Sequence, residues 1–132
     1  MPIESIETAA LELRAEETES GIHILADLHV TNTDNILTYA PFNDFLLQSV
    51  QDLGLHTLGH LFYDFQPSGF TGVVCLSESH VSIHTFPEKK YLTIDIYLSN
   101  HTMDNSPKGR KLFKAIHHFF SPVKLTYKEI AR

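Results

Sequence analysis

Gly69-Phe-Thr-Gly-Val-Val-Cys-Leu-Ser-Glu-Ser-His-Val-Ser-Ile-His-Thr-Phe-Pro-Glu88 is the densest stretch of the chain, and its reading decides the fold. Phe70 to Leu76 is apolar enough for a buried strand, and Val81 to Phe86 alternates as another. Outward on the C-terminal side, Tyr91 to Leu98 alternates again. Asn100 to Gly109 then reads as a loop, Arg110 to Phe119 as a helix, and Pro122 to Tyr127 as a last strand. On the N-terminal side, Gln66-Pro-Ser-Gly69 breaks a strand over residues 55–65. Before it, Phe45, Leu46, Val50 and Leu53 stripe a helix from Pro41 to Leu53, which Gly54 closes. His23 to Val30 reads as a first strand, and Thr31 to Asn35 as a turn. Ile3, Ile6, Ala10 and Leu13 recur at helical spacing among glutamates, which predicts a short amphipathic helix over 3–17. Runs of strands with helices between them predict an α+β domain, a two-layer sandwich of an antiparallel-rich sheet with helices on one face. The other face then needs cover, which a homodimer pairing sheet to sheet supplies.

The chain has 132 residues, a net charge of −6, one cysteine and nine histidines. That length fits one domain with a real core. One cysteine excludes an intramolecular disulfide framework and a cysteine-based zinc cage. No apolar run approaches the ~20 residues that span a bilayer, and the acidic N-terminus is unlike a secretion signal. The expectation is a cytoplasmic protein with no membrane partner. Residues 1–20 hold six glutamates against Arg14, a net −5, and residues 101–132 hold seven basic residues against Asp104 and Glu129, a net +5. The reading is an acidic leader, 1–20, ahead of a near-neutral single domain, 21–132. Little then favours nucleic acid as a partner, and a solvated helix face accounts for the basic segment.

Ser77, Glu78, Ser79, His80, Ser82, His84 and Thr85 crowd hydroxyls, imidazoles and a carboxylate into nine positions. Strand alternation puts Glu78, His80, Ser82 and His84 on one face and Ser77, Ser79 and Val81 on the other. Ser79 and His84 therefore cooperate only across a bend or between subunits. The plain alternative is a polar strand face with satisfied histidines. Elsewhere, His56-x-x-x-His60 has metal-ligand spacing for a helix but falls in an expected strand without a third ligand, so no metal site is expected. His117-His118 is no stronger, and no phosphate loop or dinucleotide fingerprint is present.

Beyond residue types, the order of residues resembles the prokaryotic S-adenosylmethionine decarboxylase family. The resemblance is carried by Gly21-Ile-His-Ile-Leu-Ala-Asp27, Phe65-Gln-Pro-Ser-Gly-Phe-Thr-Gly-Val-Val74, Glu78-Ser-His-Val-Ser-Ile-His-Thr-Phe-Pro-Glu88 and Tyr91-Leu-Thr-Ile-Asp95. It covers about residues 21–128. It implies an enzyme that makes its own pyruvoyl cofactor by autocatalytic serinolysis at Glu78-Ser79. The Ser79 hydroxyl would attack the Glu78 carbonyl, β-elimination would expel the ester, and hydration would release ammonia. A β chain, 1–78, and an α chain, 79–132, would result, with pyruvoyl at position 79. His84 matches the family's proton acceptor for processing, a role suited to an imidazole with an ordinary pKa of ~6.5. Thr71 matches a processing hydroxyl that steadies the cyclic intermediate. In the family's dimer of processed αβ units, these two groups reach the serine from the other subunit.

The resemblance also implies decarboxylation of S-adenosylmethionine for spermidine synthesis, through a Schiff base between the pyruvoyl ketone and the substrate amine. Phe65 matches an aromatic that stacks on the adenine, and Glu88 a carboxylate that holds the ribose hydroxyls. Two positions depart from the pattern. Ser99 stands where the family has a cysteine that donates the final proton, and a hydroxyl is a far weaker acid than a thiol of pKa ~8.5. Phe86 stands where tryptophan is common. Cys75, within Val73-Val-Cys-Leu76, is expected in the core. The serine at 99 leaves two alternatives: a pyruvoyl-dependent arginine or ornithine decarboxylase, or a weakly active homologue that serves as a partner subunit.

Overall fold

The structure, a computed structural model, describes residues 21–132. The helix expected over 3–17 lies outside the described residues. Six strands form one sheet: β1 (Gly21–His29), β2 (Thr57–Asp64), β3 (Phe70–Leu76), β4 (Ser79–Phe86), β5 (Tyr91–Ser99) and β6 (Lys124–Ala131). Their order is β2-β3-β4-β5-β1-β6, and every neighbouring pair is antiparallel. Two helices, α1 (Ala40–Asp52) and α2 (Ser106–Phe120), pack on one face. Alternation supplies that face with Ile22, Ile24, Val81, Ile83, Leu92, Ile94, Ile96 and Leu98, and the helices add Phe42, Leu46, Leu112 and Ile116, all buried. The expected α+β sandwich with helices on one side is what forms.

Three local expectations are corrected. The loop read over Asn100–Gly109 is shorter, because α2 begins at Ser106 with Pro107 in its first turn, where a missing N–H costs nothing. Gly109 lies within α2 as a packing residue: a Cβ there would meet the Ile22 and Leu98 side chains at 3.4 Å. The strand read from Val81 begins at Ser79, so Glu78 is not on a strand face. It forms with Ser77 the two-residue turn between β3 and β4. Cys75, expected in the core, is exposed. Only alternate residues of β3 face the helices, and Val74 and Leu76 are buried while Val73 and Cys75 point to the other face, which is uncovered among the described residues.

That uncovered face gathers Leu61, Tyr63, Val73, Phe86 and Ile130, all large and exposed, Leu61 at 74% and Tyr63 at 62%. No helix among the described residues is long and apolar enough to cross a membrane.

Candidate active site

The expected site residues fall into two groups at opposite ends of the β3–β4 hairpin. At the open end, β3 starts and β4 finishes, so Thr71 and His84 stand directly opposite each other. Both are on the uncovered face, and Thr71 Oγ1 lies 2.6 Å from His84 Nδ1. This hydrogen bond fixes the imidazole's orientation and leaves its other nitrogen able to accept or deliver a proton. A pocket of about 250 Å³ adjoins the pair, lined by Leu61, Tyr63, Val73 and Ser82 as well as Thr71 and His84.

The two expected substrate-binding residues are at the same end. Phe65 follows β2 and is exposed, with its ring 5.1 Å from the Tyr63 ring, edge to face. Glu88 sits in the short 3-10 turn Pro87–Lys89 that follows β4, and it is exposed. The loop after Phe65 and this turn are pressed together at Gly69. The Phe65 N–H donates to the Gly69 carbonyl at 2.8 Å. A Cβ on Gly69 would stand 3.0 Å from the Pro87 ring, and its φ of +95° already favours glycine.

Glu78 and Ser79 occupy the turn end. Tight two-residue hairpins favour Asn-Gly or Gly-containing pairs, but this turn is Ser77-Glu78 and is held by bonds from outside the hairpin. The Ser77 N–H donates to the His56 carbonyl at 2.9 Å, and the Ser99 N–H donates to the Glu78 carbonyl at 2.7 Å. The His56 N–H donates to Glu78 Oε1 at 3.2 Å, and the His56 ring nitrogen Nδ1 lies 3.3 Å from Oε2. Burial disfavours the charged Glu78 carboxylate, yet the hydrogen bonds from the His56 main chain, the Ser77 hydroxyl and the His56 ring outweigh it. They hold the carboxyl below its ordinary range. Ser79 itself has a φ of 154°, a region that residues other than glycine occupy at a cost of order 1–3 kcal/mol.

Ser99 ends β5 beside this turn. Its hydroxyl oxygen accepts the His101 N–H at 3.1 Å, and its carbonyl accepts the buried Asn105 side-chain amide at 2.8 Å. The main-chain N–H is thus aimed at the Glu78 carbonyl, while the hydroxyl stays at the same corner. Sequence reasoning missed two partners here, the Ser99 N–H and His56. A main-chain donor leaves no mark in residue identity. His56 and Glu78 are 22 positions apart and meet only because β2 lies beside β3.

The two groups do not meet within one chain. Five residues separate Ser79 from His84, about 17 Å at the ~3.4 Å rise of an antiparallel strand. Ser79 also has the parity of the helix-covered residues Val81 and Ile83, and His84 that of the uncovered face. A larger pocket of about 540 Å³, lined by Gly21, Asn100, Asp104, Arg110 and Glu129 among others, holds none of the expected site residues. Among the described residues, no group of three or more histidine, cysteine, aspartate or glutamate side chains is placed to hold a metal ion.

Comparison with known proteins bears on what these residues serve. A family model described as S-adenosylmethionine decarboxylase matches residues 22–132. The S-adenosylmethionine decarboxylase proenzyme of Persephonella marina is 38% identical over 108 residues, which cover 82% of this chain and 76% of that protein. The proenzyme of the same name from Aquifex aeolicus is 44% identical over 77 residues, or 58% of this chain and 57% of that one. The crystal structure of the adenosylmethionine decarboxylase from Aquifex aeolicus VF5 superposes with a TM-score of 0.77 at 33% identity, covering 86% of this chain and 91% of the other. The sheet order, the helices on one face and the motif-bearing hairpin are therefore those of a known architecture, and the chain belongs to the S-adenosylmethionine decarboxylase family.

Proposed function

We propose that the chain is a self-cleaving carboxy-lyase that decarboxylates S-adenosylmethionine. The observation that carries this reading is the division of the hairpin into a tethered Ser77-Glu78 turn leading into Ser79 and a hydrogen-bonded Thr71–His84 pair, in a chain of this family. Cleavage starts when the Ser79 hydroxyl attacks the Glu78 carbonyl carbon and the acyl group passes from nitrogen to oxygen. The Ser99 N–H already rests on that carbonyl oxygen and takes up the negative charge that develops there. His84 of a second copy then removes the Ser79 α-proton, the main-chain carboxylate of Glu78 leaves by β-elimination to give dehydroalanine at 79, and water converts this to the pyruvoyl ketone with release of ammonia. The β chain ends at Glu78, and the α chain, 79–132, begins with a pyruvoyl group. Ser79 suits this conversion, because it follows a tight turn, has an unfavourable φ and has an acyl partner held in place.

The pyruvoyl group supplies a carbonyl that binds the substrate amine and an adjacent amide that accepts electrons as carbon dioxide leaves. Phe65 offers an exposed ring for the adenine, Glu88 a carboxylate for the ribose hydroxyls, and Ser99 a hydroxyl at the place of the final proton donor. The reading requires a homodimer, since Thr71 and His84 of a second copy must meet the turn that their own chain holds about 17 Å away. The apolar uncovered face, with Leu61, Tyr63, Val73 and Phe86, suits that pairing. A cytoplasmic spermidine-forming role is the matching setting, with neither nucleic acid nor membrane as partner.

Intact-mass measurement of the purified chain, followed by carbon dioxide release from carboxyl-labelled S-adenosylmethionine, arginine and ornithine, tests the proposal. Two chains divided between Glu78 and Ser79, and release from S-adenosylmethionine alone, are expected. A single uncut chain overturns the self-cleavage, and release from arginine or ornithine instead overturns the substrate.

A further inference from the structure

The segment that grips the Glu78 turn is not part of the hairpin at all. Leu55 is buried and its N–H donates to the Val50 carbonyl at 3.0 Å, so the chain leaving α1 is anchored where His56 begins. From that anchor His56 makes three contacts with the turn: its carbonyl accepts the Ser77 N–H, its N–H reaches Glu78 Oε1, and its ring reaches Glu78 Oε2. On the other side the Ser99 N–H holds the Glu78 carbonyl. Glu78 is therefore tied at both its side chain and its carbonyl. The torsion that would swing this carbonyl away from the Ser79 hydroxyl is restrained from both sides.

We propose that His56 is a positioning residue for self-cleavage, acting through the Glu78 carboxylate to keep the scissile carbonyl in reach of the Ser79 hydroxyl. The proposal rests on the self-cleavage reading above. Fixing two reacting groups in an attack geometry is one of the larger sources of rate available to an intramolecular step. Here the nucleophile and the carbonyl are neighbours in sequence, so the remaining freedom is the orientation of Glu78. The contrary view is that His56 and Glu78 form an ordinary surface pair: the His56 side chain is 75% exposed, and exposed ion pairs contribute little. The two views differ in rate.

The experiment follows the conversion of freshly made full-length chain into two chains by intact mass, for wild type, His56→Ala, His56→Gln, Glu78→Gln and the double variant His56→Ala/Glu78→Gln. Thermal midpoints of the uncut forms are measured alongside. His56→Ala is expected to slow conversion about three- to tenfold, the scale of one partly screened hydrogen bond to a charged group. His56→Gln, which retains a side-chain donor, is expected to recover most of the rate. His56→Ala is expected to add nothing further in the Glu78→Gln background. Wild-type conversion with His56→Ala equally fast overturns the positioning role alone. So do independent, multiplying losses in the double variant, or a slow His56→Gln. A wild-type chain that stays whole overturns the self-cleavage reading itself, and the role of His56 with it.

Discussion

At one end of the β3–β4 hairpin, Thr71 and His84 meet across two strands at 2.6 Å on an uncovered surface. At the other, Glu78 is tied by His56 and Ser99 inside a two-residue turn, and Ser79 takes a φ of 154°. The open end is a pair of proton-handling groups. The turn end is a held acyl group beside the Ser79 hydroxyl. The same antiparallel register that puts Thr71 opposite His84 puts Leu76 opposite Ser79, so one chain cannot bring the two ends together without giving up the sheet. On the proposed reading, each hairpin carries half of each of two sites, and a pair of hairpins would complete both.

The sharpest way to break that comparison is to disable the ends in separate chains. Ser79→Ala and His84→Ala are each expected to stay uncut when made alone. When the two are co-expressed, the His84→Ala chain, whose turn is intact, is expected to appear as two fragments by intact mass, and the Ser79→Ala chain to remain whole. If neither chain is cut in the mixture, the ends act within one chain and the division is mistaken. A smaller effect is expected at Ser99, whose N–H serves the turn and whose hydroxyl stands where a stronger acid is usual. Ser99→Cys keeps the N–H, so conversion to two chains is expected to proceed at the wild-type rate. Turnover of S-adenosylmethionine is expected to rise about tenfold, within the range of general acid catalysis. Unchanged turnover places the proton donor elsewhere.

The smallest effect concerns the pH dependence of the turn. The folded chain holds the Glu78 carboxyl below its ordinary value of 4.5. The resulting stabilisation is present above about pH 4.5 and is lost as the pH falls through the lower folded value. In urea unfolding of uncut chains carrying Ser79→Ala, the advantage over the same chain with Glu78→Gln is expected to be steady near neutrality and to shrink below that point. An advantage that grows on acidification contradicts the assigned direction.

The element pattern was legible because the central strands β1, β4 and β5 each bury one face and alternate accordingly. His84, Ser82 and His80 were read correctly as sharing a face that Ser79 does not. The same logic misplaced Cys75, since a short apolar run looks equally buried on both sides until it is known that helices cover only one. It also put Glu78 on a strand, because Ser77-Glu78 carries none of the glycine or asparagine that usually marks so tight a turn. Gly109, read as part of a loop, is inside α2, where it packs closely against Ile22 and Leu98.

For the site, the sequence by itself determined which side chains are present and, through their order, which family they belong to. The resemblance singles out Thr71, Ser79, His84 and Glu88, and the serine at 99 as a departure from the pattern. What the tertiary structure alone decided is which of them can meet. Strand register brings together residues 13 apart, Thr71 and His84, while holding residues 5 apart, Ser79 and His84, at opposite ends of a rigid hairpin. It also recruited His56 and a main-chain N–H of Ser99 to the Glu78 turn, since hydrogen bonds between strands follow position in the sheet and not distance in sequence.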